Sequence, residues 1–185
     1  NNKKIVLSFF GVLYKKIRNP KYLLDTIKLL IEKDKSLLKI IELHFFGDQK
    51  DCIEVFDEYK FLKNNIFLHD YLDKNEAMKK MLDSDILINL GNDTDYQLPS
   101  KIIDYVSARR PILNICSIKN DSTKMYLEKF SFVLNYFQDG NIKILYDFIK
   151  NSKKINIKEN EINSFLNKHS ANVLAKKYLS LINVN

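Results

Sequence analysis

Gln97-Leu98-Pro99-Ser100-Lys101-Ile102-Ile103-Asp104-Tyr105-Val106-Ser107-Ala108-Arg109-Arg110-Pro111-Ile112-Leu113 is the stretch that decides the fold of this chain, because three kinds of signal meet in it. Pro99 suits the first turn of a helix, where its missing N–H costs nothing, and Pro111 forbids helix continuation just before an apolar pair. The spacing predicts a loop, a short helix over about residues 100–108, a turn and a buried strand.

On that helix Ser100 and Asp104 are four apart and Lys101 and Asp104 three apart, which places the carboxylate on the side of the helix mouth. Ile102, Ile103 and Val106 are expected on the opposite, buried side. Free amides and about half a positive charge at a helix mouth suit a phosphate, and a carboxylate one turn further on suits the paired hydroxyls of a sugar. Phosphate and ribose together make a nucleotide. The same spacing also fits plain helix capping, with Asp104 paired to Lys101 on the surface.

Working outward, residues 5–10 form an apolar run broken only by Ser8 and ended by Gly11, as a strand buried on both faces reads. A helix follows over about residues 20–33, with Leu23, Leu24, Ile27, Leu30 and Ile31 at spacings of three and four. Strands are expected at residues 40–46, 66–69, 85–90, 112–115 and 132–134. Between and after them come helices near residues 50–62 (Ile53, Phe56 and Tyr59 or Lys60 on the stripe), 75–82, 122–129, 141–149 and 159–182. Strand and helix alternate without a hairpin signal, which predicts an α/β fold with a doubly wound parallel sheet. Gly11, Gly47 and Gly91 each fall where a strand gives way to a loop, the end of such a sheet at which ligands bind.

The 185 residues suffice for one domain with a full core, and 45% apolar residues is ordinary for a globular chain. No apolar run reaches the roughly 20 residues of a membrane helix. The opening Asn-Asn-Lys-Lys is no signal peptide and fits a piece of a longer chain. Cys52 and Cys116 have no Cys or His at ligand spacing, so neither a disulfide framework nor a metal site is expected, and the cytoplasm is the default compartment. The net charge of +7 is uneven, with a basic first fifty residues and an acidic second fifty. Basic excess attracts phosphorylated ligands, anionic membrane or nucleic acid, but no nucleic-acid motif is present. In the loop at residues 11–20, Lys15, Lys16 and Arg18 crowd three cations into four positions, without a P-loop or dinucleotide fingerprint. His44 and His169 have no partner that the sequence identifies, and His69 reads as structural.

Pro-Ser-Lys-Ile-Ile-Asp-Tyr-Val-Ser-Ala-Arg-Arg-Pro-Ile-Leu resembles the Pro-Ser-Lys-x-x-Glu-Tyr-x-x-x-Gly-x-Pro-Val segment of the glycosyl transferases group 1, retaining enzymes of GT-B fold. The resemblance implies a Rossmann-like donor domain over residues 1–185, including C-terminal helices over about residues 157–183. It implies that Asp104 holds the ribose, that the backbone at Leu98, Ser100 and Lys101 meets the diphosphate, and that Gly11 lies beside it. The family's diphosphate cations would fall to Lys15, Lys16 or Arg18, and Arg18 is favoured because a guanidinium grips phosphate with two parallel bonds. Tyr71 is placed to lie against the base, and Tyr96 and Gln97 toward the transferred sugar.

Three positions depart from the pattern: Val12 stands where the family has Arg, Tyr96 where many members have an acid, and Arg109 where they have Gly. The expected function is transfer of a sugar from a UDP- or GDP-sugar to a glycan or lipid-linked acceptor in cell-surface polysaccharide synthesis. A separate N-terminal acceptor domain would act as partner, and no metal or other cofactor is expected, the pair Asp93 and Asp95 reading as loop. The location would be cytoplasmic, with peripheral contact at the inner face of the membrane compatible with the basic charge. The alternative is a non-catalytic α/β nucleotide-binding or regulatory module.

Overall fold

The computed structural model describes residues 4–92, 95–96, 100–170 and 173. Six parallel strands, β1 (Ile5–Phe10), β2 (Ile41–Phe46), β3 (Ile66–His69), β4 (Ile86–Leu90), β5 (Ile112–Ile115) and β6 (Val133–Tyr136), form one sheet in the order β3-β2-β1-β4-β5-β6. The seven helices are α1 (Lys21–Lys33), α2 (Ile53–Asp57), α3 (Lys74–Asp83), α4 (Lys101–Ser107), α5 (Ser122–Leu127), α6 (Ile142–Lys150) and α7 (Glu159–Lys168). This is the doubly wound sheet that the alternating pattern predicts. None of the described helices is long and apolar enough to cross a membrane.

Strand periodicity divides the core in two. Ile5, Leu7 and Phe9 point to the side where Leu23, Leu24, Ile27 and Leu30 of α1 pack with Val55 and Phe56 of α2 and with Leu145 and Ile149 of α6. Phe10, Phe46, Leu87 and Ile112 pack on the opposite face against Ala77 and Met81 of α3, Ile102, Tyr105 and Val106 of α4, and Ile162 and Phe165 of α7. Each buried Leu or Phe contributes about 1.5–3 kcal/mol, and both faces of the sheet depend on it. On the second face Asn89, Asn114 and Asn135 stand in register across β4, β5 and β6, and their amides bond in series at 2.7 and 2.8 Å.

Several boundaries differ from expectation. The helix anticipated over residues 50–62 is broken into the 3-10 turn Lys50–Cys52, α2 and the 3-10 turn Lys60–Leu62. Its buried side is Cys52, Val55, Phe56, Tyr59 and Leu62, while Ile53 is 43% exposed. Phe56 and Tyr59 of the expected stripe are thus buried, and Cys52, at the end of the 3-10 turn, rather than Ile53 begins the buried side. The last strand lies at Val133–Tyr136, because Asn135 extends the amide series and Tyr136 closes the ladder opposite Ile115. In α4, Tyr105 rather than Ile103 takes the buried side with Ile102 and Val106, and Ile103 is 37% exposed. The closing helix is described from Glu159 to Lys168; of the further stretch expected to 182, only 169, 170 and 173 are among the described residues.

Tyr105 bridges the centre of the sheet. The β1–β4 ladder ends at Phe9 opposite Ile88, so the next amide of β1 has no strand partner on that side. The buried Tyr105 hydroxyl fills the gap, accepting from the Phe10 N–H at 3.0 Å and donating to the Ile88 carbonyl at 3.0 Å. Burial raises the phenol far above its ordinary pKa, so it stays a donor. Tyr105→Phe should therefore cost roughly 1–3 kcal/mol, the penalty for two unsatisfied buried backbone groups. Urea unfolding measures this, and a variant as stable as the parent would show that the bridge is dispensable.

Arg109, just past α4, has φ +51°, the left-handed conformation that favours glycine. Its guanidinium offsets part of the strain by meeting both Glu159 carboxylate oxygens, at 2.9 and 3.0 Å, and the Ser107 carbonyl at 3.0 Å. An exposed pair contributes about 0–1 kcal/mol and left-handed backbone costs about 1–2 kcal/mol. Arg109→Gly should therefore match or exceed the parent in stability while Arg109→Ala falls below it by about 1 kcal/mol. The reverse order in urea melts would assign the strain to the wrong residue.

Candidate functional site

The strand order reverses between β1 and β4, and the loops leaving their carboxyl ends diverge to opposite sides of the sheet. Such a switch point leaves a crevice above the strand ends, where a ligand meets backbone rather than side chains. Gly11 and Gly47 line it with φ values of +151° and +129°. A Cβ on Gly47 would run into the Gly11 carbonyl oxygen, so the ends of β1 and β2 approach more closely than any other residue allows. The two ends are held by bonds from the Gly11 N–H to the Phe46 carbonyl (2.9 Å) and from the Gly47 N–H to the His69 carbonyl (3.1 Å). Phe10 and Phe46 stack with centroids 4.7 Å apart beneath them.

In the loop at residues 11–20 an isolated bridge joins Tyr14 to Arg18, whose N–H bonds to the Tyr14 carbonyl at 3.1 Å. That reversal separates the three candidate cations. Lys15 reaches away to Glu54 at 2.7 Å, a contact that raises its pKa. Lys16 lines a different cavity, of about 290 Å³, with Asn19, Lys21, Gly91 and Ser117. Arg18 spans the switch point, its Nε donating to Oδ1 of the buried Asn92 at 3.0 Å.

Tyr71, 74% exposed, and the half-buried Lys101 line a shallow cleft with Phe10, Gly11, Gly47 and Leu72. Ser100 is exposed at the start of α4 and makes no capping bond with its side chain. Asp104 is half-buried one turn along, and among the described residues no ion pair joins it to Lys101 or to any other cation. The surface pairing that helix spacing allows is thus not formed. Tyr96 is 83% exposed. Gln97 and Leu98, together with Asp93, lie outside the described residues. No cluster of three or more His, Cys, Asp or Glu among the described residues is arranged to hold a metal ion.

The sequence reading missed Asn92 and the Phe10–Phe46 stack. A buried Asn directly after the strand-ending Gly91 was the one available sign of the first. It also left His44 without a partner and read His69 as structural, whereas the two rings meet across β2 and β3 at 2.9 Å.

No protein-family model and no curated protein matches the chain. Solved structures do match in fold. A mutant of S. aureus TarM, in complex with fondaparinux, alpha-GlcNAc-glycerol and UDP, superposes with a TM-score of 0.69 at 18% identity, covering 97% of this chain and 36% of that one. The trehalose-6-phosphate synthase OtsA gives 0.67 at 16% identity, covering 100% of this chain and 44% of its own. The lipopolysaccharide outer core galactosyltransferase WaaB, in its apo form, gives 0.63 at 11% identity, with 98% and 50% covered. The chain therefore spans half or less of the length of these proteins, and its six-stranded α/β sheet has the fold of one half of a GT-B glycosyltransferase.

Proposed function

We propose that this chain is the donor-binding half of a retaining glycosyltransferase of hexosyl type, which takes a UDP- or GDP-sugar and serves cell-surface polysaccharide synthesis. The observation that carries the reading is the Arg18–Asn92 bond across the switch point, which holds a fixed cation beside the two-glycine crevice. In this reading the diphosphate lies over Gly11 and the first turn of α4, with Ser100, Lys101 and the backbone at Leu98 around it. The half-buried Asp104 carboxylate accepts the ribose hydroxyls, Tyr71 covers the base, and Tyr96 and Gln97 face the sugar. As the sugar–phosphate bond breaks, charge develops on the departing diphosphate, and Arg18 with the α4 amides is positioned to stabilise it. The acceptor is the task of a second domain, so the isolated half binds donor without turnover. The protein works in the cytoplasm, with its lysines compatible with peripheral contact at the inner membrane face.

A second reading keeps the fold and the nucleotide but loses the chemistry. It is favoured by Val12 and by the exposed Tyr96, which stand where the resembled family carries charged groups. Donor binding is common to both readings, and sugar transfer by the whole protein separates them.

Arg18→Ala should weaken UDP or GDP binding by roughly 1.5–3 kcal/mol and lower its salt dependence, as loss of a charge-assisted bond does. Lys15→Ala, whose ammonium is taken up by Glu54, should leave both unchanged. Calorimetry at two ionic strengths decides, and an effect of Lys15 in place of Arg18 would transfer the role.

Asp104→Asn should weaken the same ligands by roughly 1–3 kcal/mol, since charge-assisted bonds to the ribose become neutral ones. It should matter much less for a 2′,3′-dideoxy diphosphate, and the melting temperature of the free protein should stay unchanged because no ion pair is lost. A destabilised protein with unaltered diphosphate affinity, or equal affinity for UDP and uridine and for GDP and guanosine, would end the nucleotide reading.

A further inference from the structure

A cavity of about 550 Å³ opens on the face of β2 and β3 beside α3, behind the nucleotide cleft. Glu42, His44 and His69 line it and form a chain: Glu42 Oε2 lies 3.4 Å from His44 Nε2, and His44 Nδ1 lies 2.9 Å from His69 Nε2, with the two rings within 5° of parallel. Only one hydrogen fits between two imidazole nitrogens at that distance. The carboxylate takes the Nε2–H of His44, which assigns His44 Nδ1 as acceptor and His69 Nε2–H as donor.

The His69 ring continues toward the cleft. It stacks on Phe46 at 4.3 Å, and Phe46 stacks on Phe10 at 4.7 Å. Phe46 and Leu72 line both the cavity and the cleft. His69 is the last residue of β3, and its carbonyl accepts from the Gly47 N–H and from Gln49 Nε2 at 2.9 Å. The segment at residues 70–72 leaves from there with Tyr71.

We propose that His69 is a positioning residue for the nucleotide site: locked to His44, it fixes the Phe46–Leu72 wall and the loop that presents Tyr71 to the cleft. The proposal rests on the nucleotide reading above. One added proton leaves a single hydrogen between the rings, an imidazolium donating to an imidazole; only protonation of both rings sets N–H against N–H and opens the lock. The surrounding charges are Glu42 on β2, whose other oxygen is paired with Lys4 at 3.2 Å, Lys80 and Asp83 on α3, and Asp70 in the loop; β1 presents only Val6 and Ser8. Burial lowers the pKa of both histidines; Lys80 lowers both further, His69 also feels His44, and Glu42 partly opposes the shift at His44. Groups with folded pKa values below the unfolded ones stabilise fully above the ordinary histidine range, and the lock itself is lost as pH falls through the lower of the two steps in which the pair titrates, where both rings are charged.

The test measures the affinity of whichever of UDP-glucose and GDP-mannose binds at about pH 7.5, since neither diphosphate diester titrates between there and about pH 5. The parent should lose roughly tenfold toward the acid end of that interval, as the second ring of the pair is protonated, the fraction of molecules with the loop in place falling accordingly. His69→Ala should be weak at every pH. His69→Gln, whose amide donates to His44 Nδ1 and can flip to accept, should restore affinity near neutrality and give a flat profile. The imidazole C2–H signals of the free protein should show both histidines titrating below the ordinary value, and His69 returning toward it in His44→Phe. Parallel profiles for the parent and His69→Gln, or independent titration near the ordinary value, would overturn the positioning role alone. Coupled titration without binding of either sugar nucleotide at any pH would overturn the nucleotide reading, and this role with it.

Discussion

Strands β1 and β4 must part for a crevice to exist, and the Tyr105 hydroxyl is what lets them part without leaving a buried amide unpaired. Beyond Phe9 and Ile88 the ladder stops, and one phenol from α4 replaces a strand-to-strand bond with two bonds through its oxygen. The same side chain fixes α4 against the sheet. Asp104 is its neighbour in sequence, so the bond that satisfies β1 also sets where the α4 carboxylate stands. Stability and the placement of that carboxylate are joined in one residue.

On the other side of β1 the crevice is shaped by absence of side chains. Gly11 and Gly47 bring two strand ends closer than a Cβ permits, and the aromatic stack of Phe10 and Phe46 closes the floor below them. The amides of both glycines are engaged there, Gly11 N–H to the Phe46 carbonyl and Gly47 N–H to the His69 carbonyl, so the close approach is held by backbone bonds over an apolar floor.

Most of this architecture was legible in the sequence. Strands buried on both faces announce themselves as apolar runs, and Ile5–Phe10 and Ile112–Ile115 were located to the residue. Helix boundaries were less secure where 3-10 turns replaced α-helix, because a period of three and one of 3.6 diverge within two turns. The candidate site divides in the same way. Gly11, Lys101 and Tyr71 could be placed together from their positions after strands, since topology alone brings strand ends into one place. Asn92 could not, because its importance lies in one bond to Arg18 across 74 residues of sequence. Nothing in the sequence singles out the asparagines 89, 114 and 135, yet register turns them into a buried amide ladder; a polar residue in a strand gains a partner only when the strand order is known.

Net charge was the least informative signal, and the structure shows why. Several of the lysines are already committed: Lys4 to Glu42, Lys15 to Glu54, Lys21 to Asp25 and Glu58, Lys150 to Asp34, Lys153 to Asp85. Such pairs at the surface contribute about 0–1 kcal/mol each and vary with salt, so their number says little about stability. Their effect on the site is by subtraction. Pairing to Glu54 draws Lys15 toward α2, and the bridge at Tyr14 turns the loop so that Arg18 crosses to Asn92. A cation held by a neutral amide keeps its whole charge, whereas one held by a carboxylate has it cancelled. Among the described residues no carboxylate pairs with Arg18, so it is fixed in place with its charge uncancelled by them, which is the condition for binding an anion strongly without the flexibility that a free lysine would have to surrender.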